Sequence, residues 1–291
     1  MAIHRRKFIQ YLGVAPLAAA QSRKKVTVNA HVWVFAAKQP GNDPTPVADQ
    51  IFREYGAAGI DGIELMHHML LKDGSVARIS ELSKRYSLPV LGSSWSANMW
   101  QAEESERILA EGRTLISRLS QVGGRTLGIS VGDARHSKTE AEFDAQARVL
   151  TGVMKICADH GVVPNLHNHI YEVRDGEHDL KGTLARVPNV KLGPDLNWLV
   201  RANVDPVDFI WRYRDRMVFA HLRDQKRDGK WCEAMGEGDT DYPAIGRMLH
   251  KIDFTGDLVI ELAHERDFTP TRSYGESVRI SREYVRRVMN Y

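Results

Sequence analysis

The chain alternates short apolar, β-branched runs with longer stretches of helical periodicity, from residue 26 to the C-terminus. This alternation predicts a parallel sheet, because a helix between two strands returns the chain to the same end of the sheet. We predict eight strands, at residues 26–35, 59–65, 88–93, 126–131, 162–166, 190–196, 217–222 and 258–262. The predicted helices lie near residues 46–58, 76–86, 103–122, 140–160, 180–187, 206–213, 243–250 and 273–289. Eight strand–helix units in about 265 residues are typical of a (β/α)8 TIM barrel.

A doubly wound open sheet is the competing α/β architecture for such an alternation. It is disfavoured because no Gly-x-Gly-x-x-Gly follows an early strand. No linker, charge block or low-complexity segment divides the chain. We therefore predict one domain, a single barrel over residues 24–291.

Residues 1–20 have the features of a cleavable export signal. The pair Arg5-Arg6 precedes an apolar run at residues 11–20 that ends in three alanines. The run is about half the length that spans a bilayer, which favours cleavage over membrane anchoring. The arginine pair resembles the twin-arginine signal, an address for folded export. We predict a periplasmic protein, and the alternative is a frayed basic N-terminus of a cytosolic one.

The charge of the chain gives no indication of a nucleic-acid or membrane partner. The full sequence has 40 Lys and Arg residues. Three of them lie in the predicted signal, namely Arg5, Arg6 and Lys7. Their removal leaves 37 basic residues against 37 acidic ones. A neutral protein offers no electrostatic attraction to nucleic acid, so we predict none as a partner. The sequence leaves homo-oligomerisation open.

Four consecutive predicted strands end in an imidazole or a carboxylate. His167 and His169 follow strand five, Asp195 ends strand six, His221 lies in strand seven and Glu261 in strand eight. In a barrel, the C-terminal ends of the strands build the active site. One such residue is more often structural, but converging charges are costly to desolvate unless something pairs them. A divalent cation on two imidazole nitrogens and two carboxylate oxygens does so. Mixed nitrogen and oxygen ligands suit Mn, Fe, Co or Zn better than Mg.

These motifs resemble those of the sugar phosphate isomerase/epimerase family with its xylose-isomerase-like TIM barrel, which also includes endonuclease-IV-like members. The similarity extends over essentially the whole mature chain, and its motifs are moderately specific in this order and spacing. The similar pieces are Gly-Ile-Asp-Gly-Ile-Glu at 59–64, Asp195, His-Leu-Arg-Asp at 221–224, Met-Gly-Glu-Gly-Asp at 235–239 with Tyr242 and Ile245, and Gly-Asp-Leu-Val-Ile-Glu at 256–261.

The resemblance implies that Asp195, His221 and Glu261 bind one divalent metal ion, for which we take Mn first and Co, Zn, Fe or Mg as alternatives. The family usually has a glutamate after strand five, as the fourth ligand and as one of two acid/base carboxylates. This sequence has none in that register. His167 occupies the equivalent position. His169 lies two residues further along, so its side chain faces the same side of the strand, and it is the alternative ligand.

The family reaction removes a proton beside a carbonyl whose oxygens bind the metal, which stabilises an enediolate as a Lewis acid. Glu261 is the predicted base, and His169 or His67 is the predicted partner acid. We expect substrate contacts from side chains near the strand ends, namely Glu64, His67, Arg223 and Trp198. Glu64 has a loop salt bridge as its alternative role, and Trp198 stands where family members often have a histidine. Asp224 is expected to orient His221 or to cap the following loop.

Loss of the strand-five glutamate favours one-base chemistry over epimerisation by two opposed bases. We predict a metal-dependent isomerase- or epimerase-type enzyme acting on a sugar, keto-sugar or cyclitol. A lyase is the alternative, either a dehydratase or an enzyme that eliminates the aglycone of a 3-keto-glycoside. A sugar-binding barrel without catalysis is a further alternative. An endonuclease-IV-like enzyme is disfavoured, because it needs about twice as many metal ligands and a basic groove.

Overall fold

The structure is a computed structural model that describes residues 26–291, so the predicted signal at residues 1–20 lies outside the described residues. It contains one sheet of eight strands. The strands are β1 (Thr27–His31), β2 (Ile63–Met66), β3 (Val90–Ser96), β4 (Thr126–Ser130), β5 (Val163–Leu166), β6 (Lys191–Leu192), β7 (Phe219–Leu222) and β8 (Asp257–Ile260). Their order in the sheet is β6-β5-β4-β3-β2-β1-β8-β7, and every pairing is parallel.

Two isolated parallel bridges join the ends of this sheet. Leu192 pairs with Met217, and Asp195 pairs with His221. The β6 and β7 edges therefore meet, which confirms the predicted (β/α)8 barrel.

Helices surround the barrel and bury one face each against it. The α-helices are α1 (Trp33–Ala36), α2 (Ala48–Ala58), α3 (His67–Leu71), α4 (Ser75–Arg85), α5 (Ser105–Gln121), α6 (Glu140–Asp159), α7 (Ile170–Arg186), α8 (Leu196–Arg201), α9 (Pro206–Tyr213), α10 (Tyr242–Lys251) and α11 (Tyr274–Tyr284). A π-helical turn, Val285–Met289, follows α11. In α5, Ile108, Leu115 and Leu119 recur at helical spacing and are buried, so they form the stripe that packs inwards. Among residues 26–291, no helix has both the length and the apolar character to cross a membrane.

Strands β1 and β6 are shorter than the sequence predicted. Strand β1 ends at His31, because its ring Nδ1 accepts a hydrogen bond from Trp33 N at 3.0 Å and the chain turns into α1. Strand β6 ends at Leu192, two residues before Pro194, which has no N–H to donate. Asp195 then caps the N-terminus of α8. Both early endings leave polar side chains at the mouth of the barrel.

Helix α7 begins ten residues before its predicted range of 180–187. Residues 174–177 interrupt it, and Asp175, Gly176 and Glu177 have positive φ angles of 52°, 67° and 66°. The Glu177 carboxylate holds this turn by accepting hydrogen bonds from Arg212 Nη1 at 2.9 Å and Tyr213 OH at 2.7 Å. The interruption explains why regular helical periodicity is visible in the sequence only from residue 180.

Candidate metal centre and active site

The four predicted metal ligands come together at the C-terminal mouth of the barrel. His167 follows β5, Asp195 precedes α8, His221 lies in β7 and Glu261 follows β8. Each side chain offers one nitrogen or oxygen atom, and these four atoms lie within 4.8 Å of one another. All four residues are buried. The structure therefore shows the predicted convergence of two imidazoles and two carboxylates.

His221 lies at the centre of this group. Its Nδ1 is 2.9 Å from His167 Nδ1 and 3.0 Å from Glu261 Oε2. Glu261 Oε2 is fully buried, yet it has no hydrogen-bond partner of suitable geometry among the described residues. A buried carboxylate oxygen without a well-aligned donor is costly, and a cation at this point would satisfy it. The donor set thus fits a divalent ion bound by His167, Asp195, His221 and Glu261.

Asp195 and Glu261 are joined by a buried arginine. Arg223 Nη2 lies 3.0 Å from Asp195 Oδ2 and 3.0 Å from Glu261 Oε1. Asp195 Oδ1 accepts hydrogen bonds from Asn197 N at 2.8 Å and Trp198 N at 3.0 Å. Helix α8 and Arg223 therefore fix both oxygens of the Asp195 carboxylate. Ion pairs of this kind hold ligands in place before a metal binds.

The charges in the cluster follow from burial and from close contacts. Burial disfavours the charged imidazole of His221, but the carboxylates of Glu64 and Glu261 outweigh it and raise the pKa of His221 to about 10. Burial lowers the pKa of His167 well below its ordinary value, and the neighbouring His221 lowers it further. Burial disfavours the Glu261 carboxylate, but Arg223 and His221 hold its pKa well below its ordinary value. His167 is therefore neutral and Glu261 is ionised at neutral pH.

A cavity of about 140 Å³ lies over the ligand cluster and opens to solvent. An open cleft with a mixed polar and apolar lining suits a small organic ligand. The apolar side chains of its lining are Trp33 and Met66, whereas the Trp95 ring packs against α5, where its Nε1 donates a hydrogen bond to Glu111. The polar part consists of neutral groups and of cluster residues, namely His31, His67, Ser94, Ser96, Ser130, His167, His169, His221 and Glu261. A lining that combines apolar side chains with hydroxyl and imidazole groups suits a sugar, which has apolar and polar faces.

His169 lies beside the ligand cluster and faces the cavity. Its Nδ1 is 3.2 Å from Ser130 Oγ, and Glu172 Oε2 accepts a hydrogen bond from its backbone N–H at 2.6 Å. Burial lowers the pKa of His169 to about 4, and burial likewise lowers that of His67 to about 4. Both rings are thus neutral near pH 7. Of the two strand-five histidines, His167 lies in the ligand cluster and His169 lies beside it in the cavity lining.

Three of the four residues expected to contact substrate do not line this cavity. Glu64 is fully buried, and its Oε2 is 2.5 Å from His221 Nε2. Arg223 is buried and engaged by Asp195 and Glu261. The ring centroid of Trp198 lies 5.8 Å from that of Trp231 and 5.7 Å from that of His169. His67 is the residue of this set that reaches the cavity lining.

Asp224 caps the loop after β7 and makes no hydrogen bond to His221. Its carboxylate accepts backbone N–H bonds from Gln225, Gly236, Gly238 and Thr240 at distances of 2.9–3.3 Å. The Met-Gly-Glu-Gly-Asp motif at 235–239 therefore supplies N–H groups that surround this carboxylate. Of the two predicted roles of Asp224, the structure supports the loop cap.

The hydroxyl groups in the cavity were not predicted from the sequence. Ser94 and Ser96 lie on β3, and Ser130 ends β4, all on strands that carry no charged strand-end residue. Ser94 Oγ is 2.8 Å from His31 Nε2. The available signal was their alternate spacing towards the strand ends, which places them on one face of the sheet.

The chain belongs to the xylose isomerase-like TIM barrel family, whose model matches residues 52–284. Inosose dehydratase of Geobacillus kaustophilus (strain HTA426) is 22% identical over 173 residues, which are 53% of this chain and 55% of that protein. The chain thus matches about half the length of this curated relative.

Solved structures share the fold at low sequence identity. A sugar phosphate isomerase/epimerase from Parabacteroides distasonis ATCC 8503 has a TM-score of 0.70 and 15% identity, with 93% of this chain and 96% of that chain covered. The 3-keto-D-glucoside 4-epimerase of E. coli has a TM-score of 0.67 and 17% identity, with 89% of this chain and 100% of that chain covered. These likenesses agree with the barrel described above.

Proposed function

We propose that this protein is a divalent-metal-dependent enzyme that removes a proton beside a carbonyl group of a sugar, keto-sugar or cyclitol. The convergence of His167, Asp195, His221 and Glu261 beneath an open cavity carries this proposal. Mn is the first choice of ion, and Co, Zn, Fe and Mg are alternatives. When bound, the ion supplies Lewis-acid polarisation of the substrate carbonyl. Family membership supports this class of chemistry.

Two side chains of this chain are placed to move the proton. Glu261 lines the cavity and is ionised, so it is the base in the proposal. His169 also lines the cavity, is neutral near pH 7 and contacts Ser130 Oγ at 3.2 Å. It is the partner that exchanges a proton with the substrate oxygen or the neighbouring carbon. General acid–base catalysis by such a group contributes about 10²- to 10⁴-fold.

The substrate in this proposal is an uncharged carbohydrate. Among the described residues that line the cavity, none is Lys or Arg. Phosphate groups are usually bound by such side chains or by helix N-termini. Trp33 provides an aromatic surface, and Ser94, Ser96 and Ser130 provide hydroxyl partners. The sugar-specific names of structural neighbours support a carbohydrate substrate, and the cavity favours one without phosphate.

An isomerase that uses one base is the first choice of reaction, and elimination is the second. Among the described cavity-lining residues, Glu261 carries the single carboxylate. Once one proton has been removed, either reaction proceeds without a second base on the opposite face. An isomerase returns the proton to the adjacent carbon, whereas a lyase expels a leaving group from the next carbon. The single carboxylate therefore favours isomerisation by one base, or elimination, over epimerisation by two opposed bases.

Deuterium exchange tests the proposed function. The Mn-loaded protein is incubated in D2O with unphosphorylated ketoses, cyclitol ketones and 3-keto-glycosides, and products are analysed by NMR. We expect deuterium beside the carbonyl, loss of this exchange in Glu261→Gln, and no exchange in protein without metal. An unsaturated product from a 3-keto-glycoside identifies elimination. Tight sugar binding without exchange in any substrate would instead identify a sugar-binding barrel and contradict the enzyme.

We also propose that the chain is exported in folded form with its metal already bound. The arginine pair at residues 5–6 and the apolar run after it motivate this proposal. A site made of nitrogen and oxygen ligands generally binds Cu and Zn more tightly than Mn. Loading with Mn before export would therefore protect the site from occupation by Cu or Zn. Metal analysis of protein recovered from the periplasm tests this. Full occupancy by Cu or Zn in active protein contradicts it, as does retention of the chain in the cytoplasm.

A further inference from the structure

Glu64 is a buried carboxylate directly behind the candidate metal centre. It is fully buried on β2, does not line the cavity, and its Oε2 lies 2.5 Å from His221 Nε2. A carboxylate can only accept this hydrogen bond, so His221 Nε2 carries the proton. The lone pair of the neutral ring is then on Nδ1, the atom that faces His167 and Glu261. Glu64 therefore selects which nitrogen of His221 can bind a metal.

The second oxygen of Glu64 lies beside Gly128, a residue that also lines the cavity. Glu64 Oε1 is buried and has no hydrogen-bond partner among residues 26–291. The side-chain nitrogen and oxygen of Asn165 on β5 are also buried and also lack a partner among these residues. Gly128 on β4 lies next to them. A Cβ atom on this glycine would be 3.4 Å from Glu64 Oε1 and 3.9 Å from Asn165 Oδ1. The missing side chain thus leaves room beside two unpaired polar groups.

A water molecule is the ligand that this space suits. Asn165 offers both a donor and an acceptor, and Glu64 Oε1 accepts only. A water molecule can donate to Glu64 and exchange a second bond with Asn165, whereas a cation would leave the amide N–H groups unpaired. Buried waters typically occupy such positions between otherwise unsatisfied groups. Barrel interiors are more often filled with branched apolar side chains, so the polar residues here need such an explanation.

We propose that Glu64, together with a water molecule held between Glu64, Asn165 and Gly128, positions His221 for metal binding. Glu64 is thus a positioning residue that acts through His221. The inference rests on the proposed metal site. Outer hydrogen-bond partners of this kind fix the ring orientation and the basicity of a histidine ligand. Their loss typically lowers metal affinity by about 10- to 100-fold.

Calorimetric titration with Mn²⁺ tests the role of Glu64. We expect Glu64→Gln to fold with wild-type circular dichroism and to bind Mn²⁺ about 10- to 100-fold more weakly. Glu233→Gln is the matched control, because Glu233 is also buried but bonds to Thr271 and Arg272 and to none of the four ligands. Equal affinity of Glu64→Gln and wild type overturns the inference. Failure of the wild type itself to bind Mn²⁺ would instead overturn the proposed function.

Gly128→Ala tests the water site without altering any polar side chain. The distances around Gly128 are ordinary contact distances, so the methyl group fits but takes the place of the water. We expect a loss of Mn²⁺ affinity in the same direction as in Glu64→Gln, but smaller. A high-resolution crystal structure of the wild type should show the water bonded to Glu64 Oε1 and Asn165. The water site is overturned if the space contains no density or if Gly128→Ala binds Mn²⁺ as the wild type does.

Discussion

The Nδ1 atoms of His167 and His221 lie 2.9 Å apart, although 54 residues separate them in the chain. Once the His221 Nδ1 proton is displaced, two imidazole nitrogens directed at one point, next to two carboxylates, are the arrangement that a divalent ion stabilises. The position of His167 also distinguishes it from His169, which bonds to Ser130 at the cavity. We therefore propose that His167 binds the metal and that His169 takes part in proton transfer.

We predict opposite phenotypes for substitutions of these two histidines. His167→Ala removes a metal ligand, so it should weaken Mn²⁺ binding by more than about 100-fold. That is the upper end of the loss expected when only an outer hydrogen-bond partner of a ligand is removed. His169→Gln should bind Mn²⁺ as the wild type does and should lose about 10²- to 10⁴-fold in solvent exchange. Calorimetry and NMR exchange measure the two effects on the same samples. If His169→Gln loses the metal and His167→Ala keeps it, the assignment is reversed.

Metal affinity should increase with pH. In the metal-free protein the carboxylates of Glu64 and Glu261 raise the pKa of His221 to about 10, despite its burial. A metal ion binds only the neutral ring, so each ion must displace one proton below that pH. We therefore expect affinity to rise about tenfold per pH unit between about pH 6 and pH 8. Calorimetry in buffers of different ionisation enthalpy counts the protons, and affinity independent of pH would contradict this charge state.

Protein stability should depend on the ionisation of Glu172. Burial raises the pKa of this carboxyl from 4.5 to about 8, so the folded state keeps a proton that the unfolded state has lost. Stability therefore falls as pH rises from 4.5 to 8, by on the order of 1.4 kcal/mol for each pH unit. Glu172→Gln should remove most of this slope in urea titrations. The exposed Glu140→Gln serves as the control, and an unchanged slope in Glu172→Gln would contradict the buried, protonated state.

Asp224 should stabilise the loop after β7. It accepts four backbone hydrogen bonds, so Asp224→Ala leaves several N–H groups unpaired and should lower the free energy of unfolding by about 3 kcal/mol. Asp228→Ala in the same loop replaces a more exposed acid and should change it by less than about 0.5 kcal/mol. Urea denaturation measures both. Equal stabilities of the two variants would show that the cap does not contribute.

Much of the architecture was predictable from the sequence, because strand–helix alternation repeats eight times and its period is set by local geometry. The same reasoning placed Asp195, His221 and Glu261 at strand ends, since the C-terminal ends of parallel strands meet at one rim. His167 could be named but not separated from His169. Both side chains face the same side of the strand in the sequence pattern. The contact between His167 and His221, which the sequence does not show, identifies His167 as the candidate ligand.

The surroundings of the metal centre could not be predicted, because they depend on contacts between distant strands. Glu64 lies at a strand end in the sequence, yet its side chain points to His221, 157 residues away. Arg223 was expected at the substrate but is engaged by Asp195 and Glu261. Whether a polar side chain at a strand end faces the cavity or the barrel interior is decided by its depth in the barrel. Sequence spacing does not contain this information.

The location of a bound metal ion is the most direct test of whether His167, Asp195, His221 and Glu261 bind one divalent ion. Crystals of the wild-type protein grown with Mn²⁺ are measured for anomalous scattering from the metal. We predict one anomalous peak per chain, at coordination distance from nitrogen or oxygen atoms of His167, Asp195, His221 and Glu261. A Mn²⁺-containing crystal with these four side chains still bonded to each other, and with no peak between them, would contradict it.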